Sequence, residues 1–408
     1  MKAVPVRRGV RLAAVLAIAT GTLGVASLIV ATGPAQADPA STTAFVGVGA
    51  DVTQDLYAAY TGASPAPGYS TAATNFFTPL HSSAATDNYT INSFDAQPFG
   101  GTTTAPGCIT TKTGGPSFDR PNSTTAGITA LLDSVNNVKW ENSSGSCTNA
   151  TVSVTGQIDF ARAARGPKTS GSTLTFVPFA RDGLGVVYYD HGTGHLASLT
   201  TAQLTNLYSQ SSGQATINGD TVDACLPIAG STPRSNLETA IGVTDTTAQI
   251  AAAAVGCSTI TQNSGNAFFA FASALPAGTD AVIPISTGSW ISQANAEGVD
   301  RSNLARAGGA DLAAIDSLGK PYTGTAPNEA PSTTYYQSTA GYGYNIFTVL
   351  PTSDVSGAFQ NAALESLFVG SGSAICATAA QTTAHTFGFD SLTVAEGTCG
   401  SITTQGNS

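Results

Sequence analysis

Short apolar strands alternate with capped helices along most of this chain, and no other feature restricts its fold as much. The segment from Gly47 to Asp55 carries an extended stretch through a glycine turn into Leu56–Tyr60. That pattern is a strand, a turn and a helix capped by Asp51 or Thr53. The stretch from Arg120 to Gly127 leads into Ile128–Val135, whose apolar positions suit a helix. Gln157–Ala161 predicts a short buried strand, and Leu174–Phe179 and Gly185–Tyr189 predict two strands flanking Arg181 and Asp182. Leu199–Tyr208 follows as a capped helix, Cys225–Ile228 as a strand, and Ser231–Ser235 as the entry to a helix ending near Gly242. Further strands are expected at Ala281–Ile285 and Asn345–Leu350, with a last helix at Ala358–Phe368. Residues 62–120 are rich in Gly, Pro, Ser and Thr and predict a long decorated loop. Strands alternating with capped helices imply an α/β fold with mostly parallel sheets.

The amino terminus bears on compartment. Lys2, Arg7, Arg8 and Arg11 precede an apolar run from Leu12 to about Thr32, and Ala35-Gln36-Ala37 has the small-x-small pattern of a signal-peptidase site. We therefore expect a signal peptide over residues 1–37, cleaved after Ala37, and a secreted chain with no membrane span after cleavage. Loss of that segment removes four cations and no anion, taking the formal net charge from −10 to −14. Such a chain has no basic face for nucleic acid. The remaining length exceeds one ordinary core and predicts two lobes. All six cysteines (Cys108, Cys147, Cys225, Cys257, Cys376 and Cys399) lie beyond the leader. An even count in an exported chain reads as disulfides. Six cysteines allow many pairings, and sequential pairing closes the shortest loops. No two approach C-x-x-C spacing, so metal is disfavoured.

Three predicted helix starts, at Asp51–Gln54, Asn122–Thr125 and Ser231–Ser235, offer backbone N–H groups and hydroxyls, the chemistry that holds a tetrahedral oxyanion. Only eleven Lys and Arg follow residue 37, and Arg120, Arg162, Arg165 and Arg234 adjoin these turns or the matching strand end. Thr53, Ser123 and Thr124 serve equally well as plain helix caps, and Arg162 and Arg165 as partners of Asp51, Asp119 or Asp182.

In their order, these segments resemble the phosphate-binding receptors of bacterial ABC importers, whose fold is the two-lobed type II periplasmic-binding-protein fold. The resemblance lies in the glycine-rich turn Val48–Thr53, the helix start Asn122–Gly127, the strand Ile158–Phe160, the crossover Phe176–Ala180, the helix Leu199–Tyr208, the loop Gly230–Arg234 and the late strand Tyr344–Pro351. It implies a discontinuous first lobe of residues 41–178 plus 338–408 and a second lobe of 179–337. It further implies a ligand set of Thr53, Ser123, Thr124, Arg162, Arg165, Ser231, Thr232 and Arg234, an inorganic oxyanion such as phosphate in the cleft, and an ABC importer permease as partner. One departure stands out. Where the family carries a serine and a proton-accepting aspartate after the Ile158–Phe160 strand, this chain has Ala163 and Ala164, then Arg165. That change favours a fully ionised oxyanion or a phosphate ester. It equally favours the alternative of an exported surface or interaction protein that keeps the fold without a small ligand.

Nothing in the sequence signals catalysis. It has no G-x-S-x-G elbow, H-E-x-x-H helix or P-loop pattern, and it calls for no cofactor. His191 and His195 have metal-like spacing, but the glycines between them disfavour a helix, and Trp290 is expected in the core or cleft wall.

Overall fold

The structure, a computed structural model, describes residues 44–62, 77–83, 89–97, 107–358, 360–393, 395 and 397–408. The expected leader at 1–37 and parts of the expected loop at 62–120 lie outside these residues. The strands that matter for the site are β1 (Ala44–Gly49), β2 (Thr90–Ser93), β3 (Phe160–Ala163), β4 (Leu174–Tyr189), β5 (Gln214–Ile217), β6 (Asp220–Ala224), β7 (Thr279–Ser286) and β8 (Gly343–Pro351). Among the described residues the main sheet has ten strands, running β5-β6-β7-β4-β8-β3-β1-β2, with two short strands added on β4. Within the first half β1 pairs parallel with β2 and β3, and within the second β6 pairs parallel with β7. The strands that connect the halves, β4 and β8, pair antiparallel with each other and with their outer neighbours.

β4 links the two halves. Its Leu174–Gly183 portion pairs with β8, and its Leu184–Tyr189 portion pairs with β7. The two strands expected on either side of Arg181 and Asp182 are thus one strand of 16 residues, and pairing continues through Ala180–Leu184. Every residue of β4 from Leu174 to Tyr188 is buried. The near-continuous apolar run reflects burial on both faces. Pro178 has no N–H for the ladder, and the register with β8 shifts beside it, between Ile346 and Phe347.

Alternation along the strands fills four cores. In the first half, Phe45, Phe160, Val177 and Phe179 face one cluster, whereas Val46, Val48, Ala161 and Phe176 face another. In the second half, Val186, Tyr188 and Val282 face one side, and Val187, Ala281 and Ile283 the other. Each half-sheet is therefore covered on both faces, the layer arrangement of an α/β domain. This gives an α/β molecule of two halves joined along one mixed sheet.

Helices α1 (Gln54–Tyr60), α2 (Thr124–Asn136), α3 (Thr201–Ser209), α4 (Thr232–Ile241), α5 (Asp245–Ala254), α6 (Gly265–Ala272) and α7 (Thr287–Ala294) supply most of the covering. α2 buries Thr124, Gly127, Ile128, Leu131 and Ser134, a stripe at helical spacing. A capping box of Thr200 and Gln203 starts α3, and Gly242 ends α4 in the left-handed conformation. The bridges join Cys108 to Cys147, Cys225 to Cys257 and Cys376 to Cys399, the sequential set. Among the described residues no helix is long and apolar enough to cross a membrane.

Candidate functional site

The site begins where β1 ends. Gly49 forms a bridge with Asn122, and the first turn of α2 lies directly on the β1 backbone. A Cβ on Gly127 would stand 2.5 Å from Gly49 Cα, so neither position tolerates a side chain without movement. Between them Ser123 has φ 129° and ψ 165°, a conformation that favours glycine. Its hydroxyl accepts from the N–H of Ala126 at 3.1 Å and caps the helix. The next residue, Thr124, is buried, and its Oγ1 accepts from the N–H of Ala164 at 3.0 Å, just past the end of β3.

α4 approaches from the second half. Its N-cap, Ser231, is fully buried and makes no side-chain cap bond, and its hydroxyl has no hydrogen-bond partner among the described residues. Pro233 at the second helical position removes a donor that a helix start would otherwise offer. Thr232 meets the opposite half: its Oγ1 lies 3.4 Å from Thr124 Oγ1. Two more bonds close the same seam, from Gln262 Nε2 to Asn122 Oδ1 and from Asn263 Nδ2 to Asp51 Oδ2, each 2.6 Å. Burial pushes the Asp51 carboxyl up to about 6, although the bond from Asn263 opposes the shift.

The structure thus brings Ser123, Thr124, Ser231 and Thr232 to one seam, and places the remaining candidates differently. Thr53 is buried, and its hydroxyl donates to Ala50 O at 3.4 Å rather than capping α1. Arg162 is fully buried and donates to the carbonyls of Gly49, Ala50 and Phe94 and to Ser93 Oγ. Desolvation lowers its pKa to about 10, while the neighbouring Asp95 opposes that shift. Arg234 turns back along α4: its Nε bonds Asp245 at 2.7 Å and Glu238 at 3.2 Å, and its Nη1 bonds the Pro227 carbonyl. Arg165 is half-buried and donates to Gly166 O at 2.9 Å and Thr125 Oγ1 at 3.1 Å.

Gln262 and Asn263 belong to the seam without any sequence signal, since neither sits in a motif. Asn263 has φ 51°, a conformation its side chain tolerates. His191 and His195 face different carboxylates, Asp280 and Asp220, so their spacing does not make a pair. Trp290 is buried, with Arg306 5.7 Å above its ring. Among the described residues the one cluster of potential metal ligands is Cys108, Asp119 and Cys147, and its two sulfurs are already joined as a disulfide.

No protein-family model matches this sequence, and no curated protein matches it. Solved structures do. One described as a phosphate ABC transporter substrate-binding protein with bound phosphate, from Clostridium perfringens, is 10% identical with a TM-score of 0.45, covering 86% of this chain and 100% of that one. An ABC-type phosphate transport receptor from Vibrio cholerae is 14% identical with a TM-score of 0.44, at 86% and 100% coverage. A phosphate-binding protein from Stenotrophomonas maltophilia is 12% identical with a TM-score of 0.36, at 76% and 79%. Identities and superpositions this low add nothing to the fold assignment, which rests on the sheet topology.

Proposed function

We propose that this chain is an exported solute-binding protein, not an enzyme, that takes phosphate or a related oxyanion between two lobes. The lobes are residues 41–178 plus 338–408 and residues 179–337, and an importer permease is the natural partner of such a receptor. One arrangement supports the reading: Thr124 and Thr232, the first residues of α2 and α4, face each other at 3.4 Å beside a buried, unpartnered Ser231 hydroxyl. Helix N-termini and hydroxyls are suited to an anion that opens this seam and takes up their donors.

The test is a melting series with phosphate, sulfate and chloride at constant ionic strength. Ligand at ten times its dissociation constant adds about 1.4 kcal/mol to native stability, and Ser231→Ala together with Thr124→Val removes that gain. If neither phosphate nor sulfate outperforms chloride, the reading fails.

A second reading, an interaction protein without a small ligand, has its own support. Gln262–Asn122 and Asn263–Asp51 already bind one half to the other with the protein's own side chains, and Ala163 and Ala164 offer no proton acceptor. The same series decides between the two.

A further inference from the structure

A concavity lies where the connecting strands pass between the halves. It has a volume of about 400 Å³ and is lined by Arg165, Arg181, Asn236, Tyr344, Asn345 and Phe347. That size falls in the range of small-molecule sites, roughly 300–1,000 Å³. Two of the eleven cations beyond residue 37 therefore meet in one pocket of a chain with formal net charge −10.

The two arginines are held differently. Arg181 is buried and donates from Nε to the Tyr336 carbonyl and from Nη1 to Asn345 Oδ1, so its guanidinium is fixed in place. Arg165 has no carboxylate within ion-pair distance among the described residues. Its bonds go to one carbonyl and one hydroxyl, and desolvation lowers its pKa with no acidic neighbour opposing the shift. A half-buried cation without a counter-charge is costly unless an anion joins it. Asn236, half-buried, also lines the pocket, and its Nδ2 has no hydrogen-bond partner among the described residues. An orphaned buried donor costs roughly 1–3 kcal/mol, which a turn of this side chain toward an acceptor in the pocket would relieve.

We propose that this pocket binds a small organic anion, its oxyanion head held by Arg165 and Asn236 and its organic body lying toward Tyr344 and Phe347. The head is a carboxylate or a phosphoryl group, since guanidinium forks suit both. The pocket's walls come from β4 and β8, from the segment after β3 and from α4, so its occupant touches both halves of the molecule. The inference does not depend on the helix-start seam: Asn236 lies one turn beyond Thr232, and none of Ser123, Thr124, Ser231 or Thr232 lines this pocket.

The experiment is titration calorimetry of the full chain with phenyl phosphate, benzoate and inorganic phosphate, repeated on Arg165→Gln, Asn236→Ala and Ser231→Ala. The expected result is binding of phenyl phosphate, benzoate or both, weakened at least about tenfold by Arg165→Gln and by Asn236→Ala and unchanged by Ser231→Ala. The tighter of the two probes identifies the head group. Matching melting curves for Arg165→Gln and the parent establish that the variant is folded. If neither organic probe binds, or if both bind equally well to Arg165→Gln, the proposal is overturned. Loss of inorganic phosphate binding in Ser231→Ala bears on the seam alone.

Discussion

Replacing Gly127 by alanine sets two effects of opposite sign against each other. In an open helix the change adds stability, about 1 kcal/mol, because glycine is the poorer helix former. Here the new Cβ would lie 2.5 Å from Gly49 Cα, 3.1 Å from Val48 O and 3.2 Å from Gly49 N. All three are backbone atoms of β1 where it pairs with β3, so no flexible side chain can move away. Carbon atoms pack best at about 3.5–4.0 Å, so α2 must retreat by roughly 1 Å. Overpacking of this kind costs about 1–3 kcal/mol. The clash offsets the propensity gain or exceeds it, and the variant should be less stable by up to about 2 kcal/mol in urea unfolding followed by circular dichroism. The same retreat draws Thr124 away from Ala164 N and from Thr232, so the phosphate binding proposed for the seam should weaken along with stability. A Gly127→Ala protein more stable than its parent by the full propensity increment would refute the close approach and the role given to it.

Three further outcomes are expected. Burial raises Asp51, Asp95 and Asp182 to about 6 against an ordinary value of 3.8, so the folded state binds more protons between those values and stability falls as pH rises through that window. Asp182 accepts from Ser286, Tyr344, Gly183 and Gly288, and Asp182→Asn, which keeps the shape without the charge, should flatten the slope of unfolding free energy between pH 4 and 6; an unchanged slope would count against it. Ser123→Gly should be more stable than Ser123→Ala by at least about 1 kcal/mol, because alanine loses the cap and keeps the strained φ while glycine relieves it; equal stability would show that the strain is absent. Replacing Cys225 and Cys257 together by alanine removes a buried bridge across 32 positions and should cost roughly 3–4 kcal/mol in the chain-entropy model, measured by denaturant unfolding.

Helix starts and strand cores were legible because they depend on local chemistry. Ser123 and Thr124 before an apolar stripe, and Ser231 before Pro233 with Gly242 closing the helix, announce α2 and α4 nearly to the residue. Strand continuity was not legible: Arg181, Asp182 and Gly183 look like a turn in sequence. In the fold, Asp182 is buried at the N-terminus of α7 and the residues around it stay in the ladder. The hairpin between β5 and β6 has a readable signal in Asn218-Gly219, both with positive φ, whereas the apolar run Cys225–Ile228, which suggests a strand, begins just past the end of β6. Long side chains were the least legible. Sequence places the Cα of Arg234 beside the α4 start, but Glu238 one turn on and Asp245 beyond the helix draw its guanidinium away.

That distribution of arginines constrains how tightly the seam can hold an anion. Arg162 ties the carbonyls of Gly49, Ala50 and Phe94 together, and freeing it would leave those buried acceptors unsatisfied. Arg234 is held by two carboxylates. The seam is left with the hydroxyls of Thr124, Ser231 and Thr232, each contributing about 0.5–1.5 kcal/mol, and two helix ends at about 0.3–1 kcal/mol each. These reach only the few kcal/mol of a millimolar complex, for which the free energy is about −4 kcal/mol. Phosphate should therefore bind with a dissociation constant in the millimolar range. A micromolar constant would require a guanidinium to turn toward the seam, and Arg165, half-buried, bonded to Thr125 next to Thr124 and with no carboxylate partner among the described residues, is the side chain placed to do it. Calorimetry on Arg165→Gln separates the cases: an affinity for phosphate that is millimolar in the parent and unchanged in the variant fits a seam of hydroxyls and helix ends. A micromolar parent affinity that falls more than tenfold in the variant would refute that account.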